Sequence, residues 1–117
     1  MNSIGQIGED IAVQYLTKKG YQILERNFTT VFGEIDIIAE KKNIICFVEV
    51  KSRKSSRYGL PEEAVTDRKM KKIIKVAQLY NKKKYYKNKI YRFDVISVKF
   101  DKGILEEIKY IEDAFSQ

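Results

Sequence analysis

The spacing of apolar residues changes period along the chain. From Ser3 to Lys19, Ile4, Ile7, Ile11, Ala12, Val13, Tyr15 and Leu16 fall on one broad arc at the about 100° per residue of a helix. Ser3 with Gln6 fits a capping box, and Gly20 after Lys18-Lys19 fits a stop. Tyr21 to Thr30 reads as a weakly patterned strand toward a sheet edge, leading into a loop over Thr29 to Phe32. Gly33–Ala39 and Ile44–Lys51 are dense in β-branched and aromatic residues, and the polar break Glu40-Lys41-Lys42-Asn43 between them predicts an antiparallel hairpin. A polar, basic stretch from Ser52 to Gly59 follows. Pro61 then opens an amphipathic helix from Glu62 to about Lys83, with Ala64, Val65, Met70, Ile73, Ile74, Ala77 and Tyr80 apolar. Tyr91–Phe100 alternates as a further strand, and Ile104–Ala114 fits a last one. The order αβββαβ predicts an α/β fold, a mixed central sheet flanked by helices, in one domain over residues 1–117.

The hairpin gathers charge where its strands are otherwise apolar. Alternation puts Ile45, Phe47, Glu49 and Lys51 on one face and Ile44, Cys46, Val48 and Val50 on the other. With an even-length loop, Asp36 shares the face of Phe47 and Glu49. A turn centred on Lys41-Lys42 sets Asp36 opposite Phe47 and diagonal to Glu49, roughly 7–8 Å away. Two carboxylates about 4 Å apart repel by roughly 4 kcal/mol at an effective dielectric near 20, more than one lysine offsets. A hard divalent cation, Mg²⁺ or Mn²⁺, would remove that cost. The spacing alone is equally compatible with acids on a solvated sheet face and Lys51 as their surface partner.

Glu9 lies within the apolar arc of the first helix, between Leu16 and Val13, whereas Asp10 projects with Gln6, Gln14 and Thr17. Burying that arc carries Glu9 toward the sheet, so Glu9 rather than Asp10 is the expected third acid; at the edge of the arc it would instead reach water. The chain has no histidine and one cysteine, which excludes imidazole-based catalysis, a disulfide scaffold and a multi-cysteine zinc site. Cys46 reads as a buried structural thiol. No apolar run approaches the ~18 residues of a membrane span and no signal peptide is evident, so the expectation is a cytoplasmic protein that makes no use of a membrane. The net charge of +7 favours a polyanionic partner. Arg53, Lys54 and Arg57 after the third strand, and Arg68, Lys69 and Lys72 on the polar side of the second helix, are the candidate phosphate contacts.

Four ordered blocks carry a resemblance: Gly33-Glu34-Ile35-Asp36-Ile37-Ile38-Ala39, Phe47-Val48-Glu49-Val50-Lys51-Ser52-Arg53, Glu63-Ala64-Val65-Thr66 and Arg92-Phe93-Asp94-Val95. Together they resemble the small bacterial YraN family, grouped with the PD-(D/E)XK nuclease-like superfamily near the Holliday junction resolvases, and the similarity runs from Gly8-Glu9 to Asp94. The resemblance implies a restriction-endonuclease-like core and Mg²⁺- or Mn²⁺-dependent phosphodiester hydrolysis on nucleic acid, DNA first, branched or junction forms included. Asp36 and Glu49 would then hold the metal, with the Val50 carbonyl. Glu9 would complete or support the shell, and Lys51 would orient water or stabilise developing charge. A homodimer would follow from the need to cut two strands symmetrically. The competing expectation is a nucleic-acid-binding protein on the same scaffold without turnover.

Overall fold

The structure, a computed structural model, describes residues 3–54 and 65–116. Its elements are α1 (Ile4–Lys18), β1 (Gln22–Thr30), β2 (Gly33–Lys41), β3 (Ile44–Lys54), α2 (Asp67–Lys84), β4 (Ile90–Asp101) and β5 (Ile104–Phe115). The five strands form one sheet in the order β1-β2-β3-β4-β5. Pairing is antiparallel except between β3 and β4, which run parallel and are joined through α2. This is the mixed α/β sheet flanked by helices that the pattern predicts, with β1 at the expected edge and β5 adding a strand beyond the αβββαβ core.

Local chemistry sets the helix ends. The Ser3 hydroxyl accepts from the Gln6 N–H at 3.2 Å while the Gln6 side chain accepts from the Ser3 N–H at 3.4 Å, a complete capping box. At the other end Gly20, at φ 95°, lets Tyr21 N–H reach the Leu16 carbonyl and Gly20 N–H the Thr17 carbonyl, which is a Schellman stop. The second helix begins later than the sequence suggests. Thr66 is its cap, accepting from the Lys69 N–H at 3.2 Å, so Val65 and Thr66 lie outside the helix; Pro61 and Glu62 fall outside the described residues. A hydroxyl able to satisfy an orphan N–H outweighs continued apolar spacing. The shift places Lys69 in the first helical turn.

Each helix covers one face of the sheet. Ala12 and Leu16 of α1 pack with Ile37, Cys46, Val48 and Ile96, whereas Ile73, Val76, Ala77 and Tyr80 of α2 pack with Ile38, Ile45, Phe47 and Phe93. The central strand β3 is therefore buried on both sides, and its alternation divides Phe47 from Cys46 and Val48 as the sequence requires. Burying a side chain such as Phe47 contributes about 1.5–3 kcal/mol. Cys46 is a fully buried free thiol, and burial pushes its pKa up to about 12. Ile4 and Ile7, placed on the apolar arc, are exposed: the buried line of α1 is Gly8, Ala12 and Leu16. Gly8 lets α1 approach closely there, because a Cβ at this position would stand 1.8 Å from the Ser52 Oγ of β3 and force it to shift.

The hairpin register differs by one step from the expectation. The turn is Lys42-Asn43, with Lys42 at φ 56°, and pairing runs from Lys41 with Ile44 to Ile37 with Val48. Continued by one step, it sets Asp36 against Glu49 itself, not against Phe47. The loop length stays even, so the face assignment holds and the separation shortens.

Candidate active site

The β2–β3 ladder ends at Ile37 and Val48, and the Asp36 side chain replaces its next rung. Asp36 Oδ2 accepts from the Val50 N–H at 2.8 Å. That bond fixes the carboxylate beside Glu49, which is only 5% exposed. Both acids line an open cleft of about 580 Å³ between the start of β2 and the first turns of α2, together with Gly33, Glu34, Thr66, Arg68, Lys69, Lys72 and Ile73.

The electrostatics of the pair are those of two acids sharing one proton. Burial, reinforced by the hydrogen bond with Glu49 and by its charge, pushes the Asp36 pKa up to about 8. Burial acts in the same direction on Glu49, but hydrogen bonding with Asp36 and Lys69, and the positive charges of Lys69 and Lys51, outweigh it and hold this carboxyl below its ordinary value. Asp36 therefore carries the proton and Glu49 the charge at neutral pH. Lys69 Nζ stands 2.7 Å from Glu49 Oε2. This is a close ion pair that is poorly aligned as a hydrogen bond. Lys51 reaches the same cluster. Its pKa is lowered, first by burial and then by the hydrogen bond and charge of Lys69, against the pull of Glu49 and Asp36.

Glu9 is more sheltered than Asp10, with side-chain exposures of 14% and 49%, as the helical arc requires. Arg26 bonds Asp10 at 2.7 Å and stands 3.5 Å from Glu9 Oε1, a buried oxygen with no well-aligned hydrogen bond. Burial raises the Glu9 pKa, opposed by Arg26 and Asn27 and aided by Glu34. Glu9 thus lies on the β1 side of the site. Among the described residues no three acidic or cysteine side chains are gathered closely enough to hold one ion. Asp36 and Glu49 do fit a hard divalent cation, which is commonly held by one or two carboxylates together with substrate phosphate, and at Glu49 Oε2 such an ion would take the place of the Lys69 ammonium.

The basic residues divide by position. Arg68 and Lys72 are exposed and line the cleft, whereas Lys69, expected beside them facing solvent, turns inward to Glu49. Arg53 is half-buried on β3 and Lys54 is exposed at its end; Arg57 lies outside the described residues. The inward turn of Lys69 and the presence of Glu34 in the cleft escape the sequence reading. The available signal was Thr66, whose capping hydroxyl fixes where α2 starts and hence which side of it Lys69 occupies.

A mixed five-stranded sheet with a helix packed on each face and two adjoining carboxylates in a cleft of mixed charge defines this as an α/β protein with a paired acidic site. Residues 8–98 match the model described as "Uncharacterised protein family UPF0102". A UPF0102 protein of Caldanaerobacter subterraneus subsp. tengcongensis is 50% identical over 115 residues, covering 97% of this chain and 94% of the relative. One of Persephonella marina is 50% identical over 111 residues, covering 95% and 91%, and one of Clostridium botulinum is 60% identical over 96 residues, covering 81% and 78%. The chain belongs to the UPF0102 family, the YraN family of the sequence resemblance. Among the described residues no helix is long and apolar enough to cross a membrane.

Proposed function

We propose that this protein is a metal-dependent nuclease that hydrolyses phosphodiester bonds of DNA, branched or junction forms included. The observation that carries the reading is the convergence of Asp36 and Glu49, from adjacent strands, on one cleft walled by Arg68 and Lys72. Asp36 and Glu49 would hold Mg²⁺ or Mn²⁺, with Glu9 supporting from the β1 side. Bound there, the ion supplies Lewis-acid polarisation of a phosphate oxygen and a lowered pKa for water. To serve as a ligand Asp36 would release the proton it holds. Lys51, biased toward the neutral amine by burial and by Lys69, takes a proton from the attacking water or hydrogen-bonds to the developing charge. Arg68 and Lys72 bind the flanking phosphates.

A second reading rests on the Lys69–Glu49 ion pair. An ammonium already offsets the Glu49 charge, as it would in a protein that binds nucleic acid on this scaffold without cutting it. Labelled duplex, single-stranded and branched DNA incubated with Mg²⁺ or Mn²⁺ separates the two. Hydrolysis by the wild type, lost in both Glu49→Gln and Lys51→Ala with unchanged circular dichroism, is the expected result. Binding that survives chelation with no products under any condition supports the binder, and unchanged cleavage in both variants refutes the assignment.

A further inference from the structure

Lys69 occupies the position where a cation is most needed, yet it is attached to the element that faces the ligand. It sits in the first turn of α2, and its side chain is 42% exposed while the Glu49 carboxylate it meets is 5% exposed. The contact is close, 2.7 Å, but poorly aligned for a hydrogen bond, so attraction of charge is the larger part of what holds the amine there. A lysine head on a flexible four-carbon stem can leave such a position without disturbing the helix. Its two cleft neighbours on α2, Arg68 and Lys72, are exposed and basic, so a phosphate drawn in by them lies within the reach of the same stem.

We propose that Lys69 is a displaceable counter-cation that couples divalent-ion binding at Asp36 and Glu49 to the arrival of a phosphate anion. This rests on the metal-dependent reading above. A divalent ion and the Lys69 ammonium cannot both lie against one Glu49 oxygen, because their like charges repel at that distance. Without nucleic acid, Lys69 competes with the ion. With a phosphate in the cleft, Lys69 moves onto the new anion and the carboxylate is freed. By linkage, the ion strengthens phosphate binding by the same factor as phosphate strengthens ion binding. The device would keep the acids free of metal until substrate is present.

The test uses Mn²⁺ binding, read by electron paramagnetic resonance on the full chain without DNA, and the anisotropy of labelled single-stranded DNA with and without Mn²⁺ at fixed ionic strength. Lys69→Met should bind Mn²⁺ more tightly than wild type, on the order of tenfold, and Lys69→Arg, which keeps the charge, should stay near wild type. Mn²⁺ should raise the DNA affinity of wild type, and that of Lys69→Met by a clearly smaller factor, since only direct ion–phosphate contact then remains. Equal Mn²⁺ affinity in wild type and Lys69→Met, with both losing it on Glu49→Gln, overturns the coupling and leaves the nuclease reading standing. No Mn²⁺ bound by either, or binding indifferent to Glu49→Gln, overturns both.

Discussion

Asp94 and the Asp36–Glu49 pair, acids of one sheet, have opposite surroundings. Asp94 of β4 is fully buried and saturated: Arg92 bonds both its oxygens at 2.9 and 3.0 Å, the Asp113 N–H donates at 2.9 Å, and the Tyr110 hydroxyl donates as well. Arg92 also donates to the Tyr21 hydroxyl, drawing the start of β1 to β4 and β5. Asp36 and Glu49, by contrast, face each other with one backbone N–H and a misaligned ammonium between them. Asp94 has the donors a buried carboxylate needs to be structural, whereas the Asp36–Glu49 pair lacks them and is left with coordination capacity. The contrast separates a carboxylate that holds the sheet together from carboxylates that cost it stability.

Removing each acid should therefore move stability in opposite directions. Asp94→Ala strands Arg92, Tyr110 and the Asp113 N–H, and should cost about 3–5 kcal/mol by urea unfolding. A loss below about 1 kcal/mol would mean that Asp94 contributes no more than an exposed ion pair. Asp36→Asn should instead stabilise the metal-free protein. Folding raises this carboxyl from 3.8 to about 8, so the folded chain keeps a proton the unfolded chain has released across that window. Stability accordingly falls as pH rises from about 4 to about 8, and removing the acid removes that slope. The gain of Asp36→Asn should be about 1–3 kcal/mol at pH 8.5 in chelator and should vanish near pH 4. A pH-independent difference would show that Asp36 is not the proton-holding member. The smallest effect concerns the approach of α1. Gly8→Ala gains about 1 kcal/mol of helix propensity but must push Ser52 aside at a cost of about 1–3 kcal/mol, for a net loss near 1 kcal/mol. In a Ser52→Ala background that loss should shrink, since the Oγ at 1.8 Å is gone and only the Ser52 Cβ at 3.1 Å remains.

What the sequence revealed follows the range of the interactions. The element order, the capping box at Ser3 and the preference for Glu9 over Asp10 depend on residues within a turn or two of each other, and local periodicity exposes them. The sharing of a face by Asp36 and Glu49 survives a wrong turn centre because only the parity of the loop matters. The Arg92–Asp94–Tyr110–Tyr21 cluster was invisible for the converse reason, since Tyr21 and Arg92 are 71 residues apart and nothing local announces their meeting. Lys69 was misdirected by the helix start. Carrying α2 back to Glu62 gives no reason to prefer one lysine of the basic face, whereas the Thr66 cap fixes its first turn against β3.

The single parallel pairing in the sheet has a consequence for how the molecule is made. The β1–β2–β3 meander, which already contains Asp36 and Glu49, can zip from its hairpins as soon as it leaves the ribosome. The far edge of β3 must wait until the crossover through α2 and the whole of β4 have been synthesised. During that interval a nascent chain would present paired acids without Lys69 against them. A ribosome-bound chain from which residues up to about 60 have emerged is accordingly the species in which metal capture, and pairing with the wrong strand, should be easiest.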